Sequence, residues 1–206
     1  MVRASRVFVV DDDPISLRAV ERLLRAHGFI VDMFTSPMAF LAQPPYDGPS
    51  CLVLDLSMPE LSGLDVQELM LQRTTAIPTV FLSGTSSVHD TAKAMRRGAM
   101  DFLVKPIDDV ALIEAVSRAL DTSAEIQRHR IEQHEILERL ARLTKRERQV
   151  CDLVAKGLLN KQIAYELGAT EKTIKVHRGR VMRKVEVDSV AALVWMLSRL
   201  PKSATR

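Results

Sequence analysis

Asp11, Asp12 and Asp55, together with Ser83 and Lys105, are the residues whose types and settings could do chemistry. Each closes an apolar run: Val7-Phe8-Val9-Val10 leads into Asp11-Asp12-Asp13, Cys51-Leu52-Val53-Leu54 into Asp55, Thr79-Val80-Phe81-Leu82 into Ser83, and Phe102-Leu103-Val104 into Lys105-Pro106. Short unbroken apolar runs bounded by loop residues read as strands covered on both faces, the pattern of a parallel sheet. In an open parallel α/β sheet, ligands bind beyond the carboxyl ends of the strands, where these three carboxylates, a hydroxyl and an ammonium would converge. Neighbouring carboxylates resist joint ionisation unless a cation neutralises them. Mg²⁺ suits the set, because it takes oxygen ligands, keeps several waters and needs few carboxylates. The acidic group Asp11, Asp12 and Asp55 would hold it, with Asp12 and Asp55 as direct ligands and a backbone carbonyl near Ser57 beside them. The arrangement reads as a site for a divalent cation and a phosphoryl group.

The elements that must position these residues alternate in type. Asp13-Pro14 places an N-cap residue before a proline at the first helical position, and Leu17, Val20, Leu23 and Leu24 recur at helical spacing up to Gly28. A strand over Phe29–Phe34, a short helix from Ser36, the strand ending at Asp55, a helix over Leu64–Gln72, a strand after Pro78, a helix running to Gly98 and the strand before Lys105 complete the pattern. Five strands alternating with five helices predict a doubly wound, flavodoxin-like domain with a five-stranded parallel sheet.

Residues 1–121 resemble the receiver domain of a bacterial two-component response regulator. Val10-Asp11-Asp12-Asp13 is similar to its acidic cluster, Leu54-Asp55-Leu56-Ser57-Met58-Pro59 to its phosphoacceptor loop, Leu82-Ser83-Gly84 to its switch hydroxyl, and Val104-Lys105-Pro106 to its lysine and following cis proline. The resemblance implies that Asp55 accepts a phosphoryl group from a sensor histidine kinase, that Ser83 and Lys105 contact its oxygens, and that Phe102 stands at the switch aromatic. Ser83 replaces the commoner threonine, keeping the hydroxyl and losing a methyl. The domain would catalyse its own phosphorylation and is otherwise no enzyme; a Mg²⁺-dependent phosphohydrolase would need a substrate pocket and a second general acid, neither of which is visible.

Charge divides the chain. Residues 1–121 carry 11 Lys and Arg against 16 Asp and Glu, residues 122–143 carry 4 against 4, and residues 144–206 carry 14 against 6, so an acidic front precedes a basic back suited to a polyanion. Between them, residues 122–143 continue a helical pattern without Gly or Pro and read as a solvated helical linker. No segment approaches the ~18 consecutive apolar residues of a membrane span, and Met1-Val2-Arg3-Ala4-Ser5 leads into a strand, so a cytoplasmic protein with no membrane contact is expected. Cys51 and Cys151 each lie in an apolar run and read as buried reduced thiols.

In residues 144–206, Thr144-Lys145-Arg146-Glu147 is a capping box, Asn160 is the expected cap of the next helix, and Gly168-Ala169-Thr170 turns into a third, giving a helix-turn-helix. At 100° per residue, Ile174, Val181 and Val185 share one face, and Lys172, Lys175, Val176, Gly179 and Arg183 the opposite one. A basic face with a glycine at its centre suits close approach to a major groove. Residues 143–197 resemble the LuxR-type DNA-binding domain through Leu143–Val150, Asn160-Lys161-Gln162-Ile163-Ala164 and Thr173-Ile174-Lys175-Val176-His177-Arg178. That resemblance implies DNA contacts from Lys172, Thr173, Lys175, Val176, Gly179 and Arg183 and an all-α domain of four helices, the last offering a dimer face that includes Trp195.

Together these readings describe a transcriptional regulator of the NarL/FixJ kind. It would be phosphorylated on Asp55 with Mg²⁺, dimerise in response, and bind double-stranded promoter DNA, with RNA polymerase as a further partner.

Overall fold

In a computed structural model, the structure describes residues 4–72, 77–84 and 88–201; the first three residues of the start discussed above lie outside them. The chain forms two compact units, Met1–Gln127 and Arg128–Arg206.

In the first unit, strands β1 (Arg6–Val10), β2 (Ile30–Phe34), β3 (Ser50–Asp55), β4 (Thr79–Ser83) and β5 (Asp101–Val104) form one sheet in the order β2-β1-β3-β4-β5, and every pairing is parallel. The apolar runs are buried on both faces because helices cover both. Val7, Val9, Cys51, Val53, Val80 and Leu82 pack with α1 (Pro14–Ala26) and the first half of α5 (Asp109–Ala141). The alternate residues Phe8, Val10, Leu52, Leu54 and Phe81 pack with α2 (Pro37–Leu41), α3 (Gly63–Leu71) and α4 (Val88–Arg96). A sheet covered in this way needs apolar residues on both faces of its central strands β1, β3 and β4, whereas the edge strands β2 and β5 are partly exposed and carry Asp32 and Asp101.

Local chemistry sets the helix starts. Asp13 accepts from the backbone N–H groups of Ile15 and Ser16, with Pro14 at the first helical position. Ser62 and Asp65 form a reciprocal capping box, so α3 begins at Gly63 and not at Leu64. Strand order reverses at β1, which sends its neighbours β2 and β3 off on opposite sides. The crevice at the carboxyl ends of β1 and β3 is therefore the topological switch point, and it receives Asp11 and Asp55.

The second unit holds the end of α5 with α6 (Lys145–Ala155), α7 (Asn160–Glu166), α8 (Glu171–Lys184) and α9 (Val190–Ser198). Two expectations change here. The stretch read as a solvated linker is one continuous helix, but Ile136 and Leu140 are buried in this unit's core against Val150, Val154 and Leu193, because they recur at i, i+4 on one face. Asn160 does not cap α7. The N-cap is Leu159, whose N–H is taken by the Gln162 side chain at 2.8 Å, while Asn160 Oδ1 accepts from Arg178 Nη1 at 2.9 Å and ties α7 to α8. Cys51 and Cys151 are buried free thiols, as their apolar settings suggest; burial pushes Cys51 far up and Cys151 to about 11.

The Thr144–Glu147 capping box does more than start α6. Lys184 Nζ on α8 lies 2.6 Å from Glu147 Oε2, and this bond, with the Thr144 N–H, lowers the Glu147 carboxyl from 4.5 to about 2. A carboxyl whose pKa is depressed in the folded state stabilises fully above its unfolded value and loses that contribution as pH falls toward its folded value. The second unit should therefore lose stability between about pH 4.5 and 2, and Glu147→Gln, which still offers an oxygen to the Thr144 N–H, should flatten that decline while lowering stability at neutral pH through loss of the charge paired with Lys184. Thermal melts of the two proteins across this window, followed by circular dichroism, check it; parallel curves would assign the acid sensitivity elsewhere.

Candidate functional site

The parallel register carries the site residues to one edge. Val10 pairs with Leu54, so Asp11 follows β1 beside Asp55, the last residue of β3; Leu82 pairs with Asp55, and Ser83 with Val104, leaving Lys105 one step beyond. Asp11 and Asp55 are buried, Ser83 is fully buried, and Lys105 is partly buried. The Lys105 ammonium bridges the two carboxylates, 2.7 Å from Asp11 Oδ2 and 2.6 Å from Asp55 Oδ1. Its peptide bond to Pro106 is cis.

The remaining oxygens define how much of each carboxylate is available. Asp11 is fully engaged: Oδ1 accepts from the Asp13 N–H at 2.9 Å, and Oδ2 from Ser16 Oγ at 2.7 Å as well as from Lys105. Among the described residues Asp55 Oδ2 accepts only the Ser57 N–H, at 2.8 Å. Asp12 is exposed and makes no hydrogen bond or ion pair among the described residues; Ser57 is exposed as well. Phe102 stands apart from the cluster, partly buried, its ring 6.4 Å from that of Phe81. The edge therefore joins Asp11, Asp55 and Lys105 directly, with Ser57 through its backbone, and leaves Asp12 at the rim.

Two carboxylates share one ammonium here, and the electrostatics follow. Burial raises the Asp55 carboxyl above the ordinary carboxylate value, with the charge of Asp11 adding to the effect, against the opposing pull of Lys105 and the Ser57 N–H. Burial works against the charge on Lys105, but the hydrogen bonds and charges of Asp11 and Asp55 outweigh it and hold the ammonium above the ordinary lysine value. The cluster is one positive charge short, which is a standing attraction for a cation.

Two residues that shape this site escape sequence reasoning. Ser16 fixes Asp11 from the first turn of α1, and nothing in an isolated serine signals it. Gly63 lets α3 press on the loop after β3: a Cβ there would stand 2.5 Å from the Asp55 carbonyl oxygen, a distance only glycine avoids. A glycine eight residues after Asp55, at a helix start where alanine would serve propensity better, was the available signal.

The second unit presents a separate surface. On α8 Ile174 and Val181 are buried, as is Val185 at its C-cap, while Lys172, Thr173, Lys175, Val176, Gly179 and Arg183 are all exposed. Among the described residues Lys172, Lys175 and Arg183 pair with no carboxylate, whereas Lys184 is held by Glu147 and Arg178 by Asn160. Unpaired cations keep their full charge for a polyanion. Thr173 differs from the others, since its hydroxyl lies 2.8 Å from that of the N-cap Thr170 and its N–H is bonded there too. No Cβ at Gly179 would meet anything within 4 Å, so the glycine leaves a flat spot on the exposed face. No helix among the described residues is long and apolar enough to cross a membrane.

Comparison with known proteins covers both units. Residues 7–117 match the family described as "Response regulator receiver domain", and residues 141–197 match "Bacterial regulatory proteins, luxR family". The chain is 39% identical over 201 residues to the response regulator protein TodT of Pseudomonas putida strain F1, covering 98% of this chain and 88% of that one. It is 40% identical over 191 residues to the transcriptional regulatory protein FixJ of Azorhizobium caulinodans, covering 92% and 90%. A solved structure of the response regulator StyR superposes with a TM-score of 0.86 at 39% identity, over 96% of this chain and all of that one.

Proposed function

The chain belongs to the two-component response regulators, transcription regulators that join a receiver to a LuxR-type DNA-binding domain, and from that membership we propose that it is switched by Mg²⁺-dependent phosphorylation of Asp55. The observation that carries the reading is the Lys105 ammonium bridging Asp11 and Asp55 at the switch point of the sheet. We assign residues 1–121 to the receiver, 122–143 to the helical connection and 144–206 to DNA binding.

Asp55 has the nucleophile's properties. Among the described residues its Oδ2 accepts one backbone N–H and nothing else, and a carboxyl pushed up by burial gives a more basic, more nucleophilic oxygen than an ordinary aspartate. A sensor histidine kinase presents its phosphohistidine; an Asp55 oxygen forms the O–P bond as the N–P bond breaks, and the electron pair leaves on the imidazole nitrogen, which is then protonated. Lys105, already within reach, shifts its hydrogen bond from the carboxylate to a phosphoryl oxygen. Ser83 meets another from the end of β4. Catalysis of this kind is positioning and charge neutralisation, and both are supplied by groups the sheet edge already holds.

The donor set suits Mg²⁺. Among the described residues no three His, Cys, Asp or Glu side chains are grouped to hold a metal, so an all-protein cage is not on offer. The exposed carboxylate of Asp12, the half-available carboxylate of Asp55 and the carbonyl of Ser57 are hard oxygen donors of the number that Mg²⁺ accepts while keeping its waters, with Asp11 adding charge behind them. Held there, Mg²⁺ would supply positive charge to the phosphoryl oxygens and the acidic cluster. If Asp12 holds it, Asp12→Ala should weaken Mg²⁺ binding at least tenfold in a calorimetric titration without lowering the melting temperature of the metal-free protein. Equal affinity in the two proteins counts against the assignment.

The exposed face of α8 would enter the major groove of double-stranded promoter DNA, with Lys175 and Val176 at base edges and Lys172, Thr173, Gly179 and Arg183 along the backbone and groove floor. Phosphorylation would act by favouring a homodimer, and the DNA-bound dimer by contact with RNA polymerase in the cytoplasm.

A further inference from the structure

The buried Asp11 carboxylate takes a hydroxyl and an ammonium on one oxygen, and we propose that the hydroxyl, that of Ser16, is a positioning residue for phosphoryl transfer to Asp55. It keeps Asp11 satisfied while Lys105 moves toward the phosphoryl group. The inference rests on the phosphorylation of Asp55 proposed above and adds a residue to it. Ser16 is the third residue of α1, and its N–H joins the Asp13 cap at 3.2 Å. Its hydroxyl takes no part in that cap. Oγ turns back five residues and donates to Asp11 Oδ2 at 2.7 Å.

The two donors on Asp11 Oδ2 differ in what holds them. Lys105 Nζ lies 2.7 Å from that oxygen and 2.6 Å from Asp55 Oδ1, so it is shared with the residue that reacts. When an Asp55 oxygen bonds to phosphorus, negative charge moves out to the phosphoryl oxygens, and the ammonium follows it, stretching its bond to Asp11. Ser16 does not follow, because the first turn of α1 fixes its backbone. Asp11 is only 1% exposed, so water is poorly placed to replace a donor, and among the described residues Oδ2 has no third one. A buried charged acceptor left without a donor is costly. Removing the hydroxyl before transfer still leaves Oδ2 the ammonium, whereas removing it in the transition state leaves that oxygen with a stretched bond alone. A contact worth more in the transition state than in the ground state raises the rate of the step without tightening substrate binding.

The test follows labelling of the full chain by acetyl phosphate, which leaves as acetate, at saturating Mg²⁺ in the wild type, Ser16→Ala and Ser16→Thr. In Ser16→Ala the limiting rate at Asp55 should fall about tenfold, the worth of one hydrogen bond to a buried charge, with the half-saturating acetyl phosphate concentration unchanged. Ser16→Thr keeps the hydroxyl and should restore the wild-type rate. A cleft of about 260 Å³ lined by Ser16, Ala19, Lys105, Pro106 and Ile107 gives its extra methyl room. Calorimetric Mg²⁺ affinity should be the same in all three proteins, since Ser16 touches none of the oxygens assigned to the ion. A wild-type rate in Ser16→Ala overturns the role, as does an equal slowing in Ser16→Thr, which would mark a disturbed helix start. Weaker Mg²⁺ binding that accounts for the whole loss in Ser16→Ala overturns it too. Absence of label in the wild type strikes the phosphorylation of Asp55 itself, and the role of Ser16 with it.

Discussion

Incubated with acetyl phosphate and Mg²⁺, the wild-type chain is expected to take up one acid-stable, base-labile phosphoryl group on Asp55, and Asp55→Asn to take up none. Among the described residues Asp11 is the only other carboxylate buried at that edge, and its oxygens are already bonded to the Asp13 N–H, the Ser16 hydroxyl and Lys105; Asp12 is exposed and pairs with no described ammonium. Asp55 has an oxygen bonded to a single described N–H, a carboxyl pushed up by burial, and Lys105 at 2.6 Å. The same substitution should raise the melting temperature of the metal-free protein at pH 7. The folded carboxyl binds its proton more tightly than the unfolded one, so its ionisation opposes folding above the ordinary value of 3.8, and the opposition is complete above its raised folded value. Asparagine removes that cost, and Lys105 keeps Asp11 as its partner. The stability difference should shrink as pH falls through the folded value toward 3.8. Loss of label with a gain in stability separates chemistry from misfolding. A labelled Asp55→Asn protein would mean that the strand-end argument selects the wrong carboxylate.

How much of this was legible beforehand depends on the range of the interaction. Unbroken apolar runs announce strands of a covered parallel sheet, and the residues that end them, Asp11, Asp55, Ser83 and Lys105, must then share an edge whatever the side-chain details. The faces of α8 follow in the same way from 3.6-residue periodicity, which separates Ile174 and Val181 from Lys172 and Lys175. Contacts between elements leave no such trace. Asn160 has the composition of a cap, yet Arg178, eighteen residues on, takes its oxygen. The polar run before Ile136 suggests a solvated helix, and the burial of Ile136 and Leu140 depends on α6 and α9 arriving to cover them. The end of α8 carries no glycine to stop it: Glu186 takes the left-handed conformation at φ 60°, with its carboxylate held by Arg139 and Arg142, and no local pattern predicts a glutamate there.

Phosphorylation should tighten binding to a specific operator, and Lys175→Ala should undo about 1–3 kcal/mol of that binding if Lys175 reads a base. The unpaired cations of α8 supply the non-specific part: each Lys or Arg that meets a phosphate releases counterions, so affinity should fall steeply as salt rises. Lys172→Ala should then weaken all sequences alike and reduce the salt slope by about one, whereas Lys175→Ala should lower affinity at the cognate site more than elsewhere. The receiver enters through geometry. A phosphoryl group on Asp55 would draw Lys105 and Ser83 toward it, and both lie at the ends of strands, β5 and β4; Phe102 of β5 packs with Ala94 of α4 in one apolar cluster. A shift there would bias that region toward a second conformation, and a dimer formed through it would place two recognition helices on half-sites about one helical turn apart. Two α8 helices on one duplex double the contacts without any new residue at the DNA. Gel-shift titrations of the full chain with and without acetyl phosphate measure the coupling. At verified phosphorylation of the wild type, identical operator affinities for wild type and Asp55→Asn would refute it and leave the second unit binding DNA independently of Asp55.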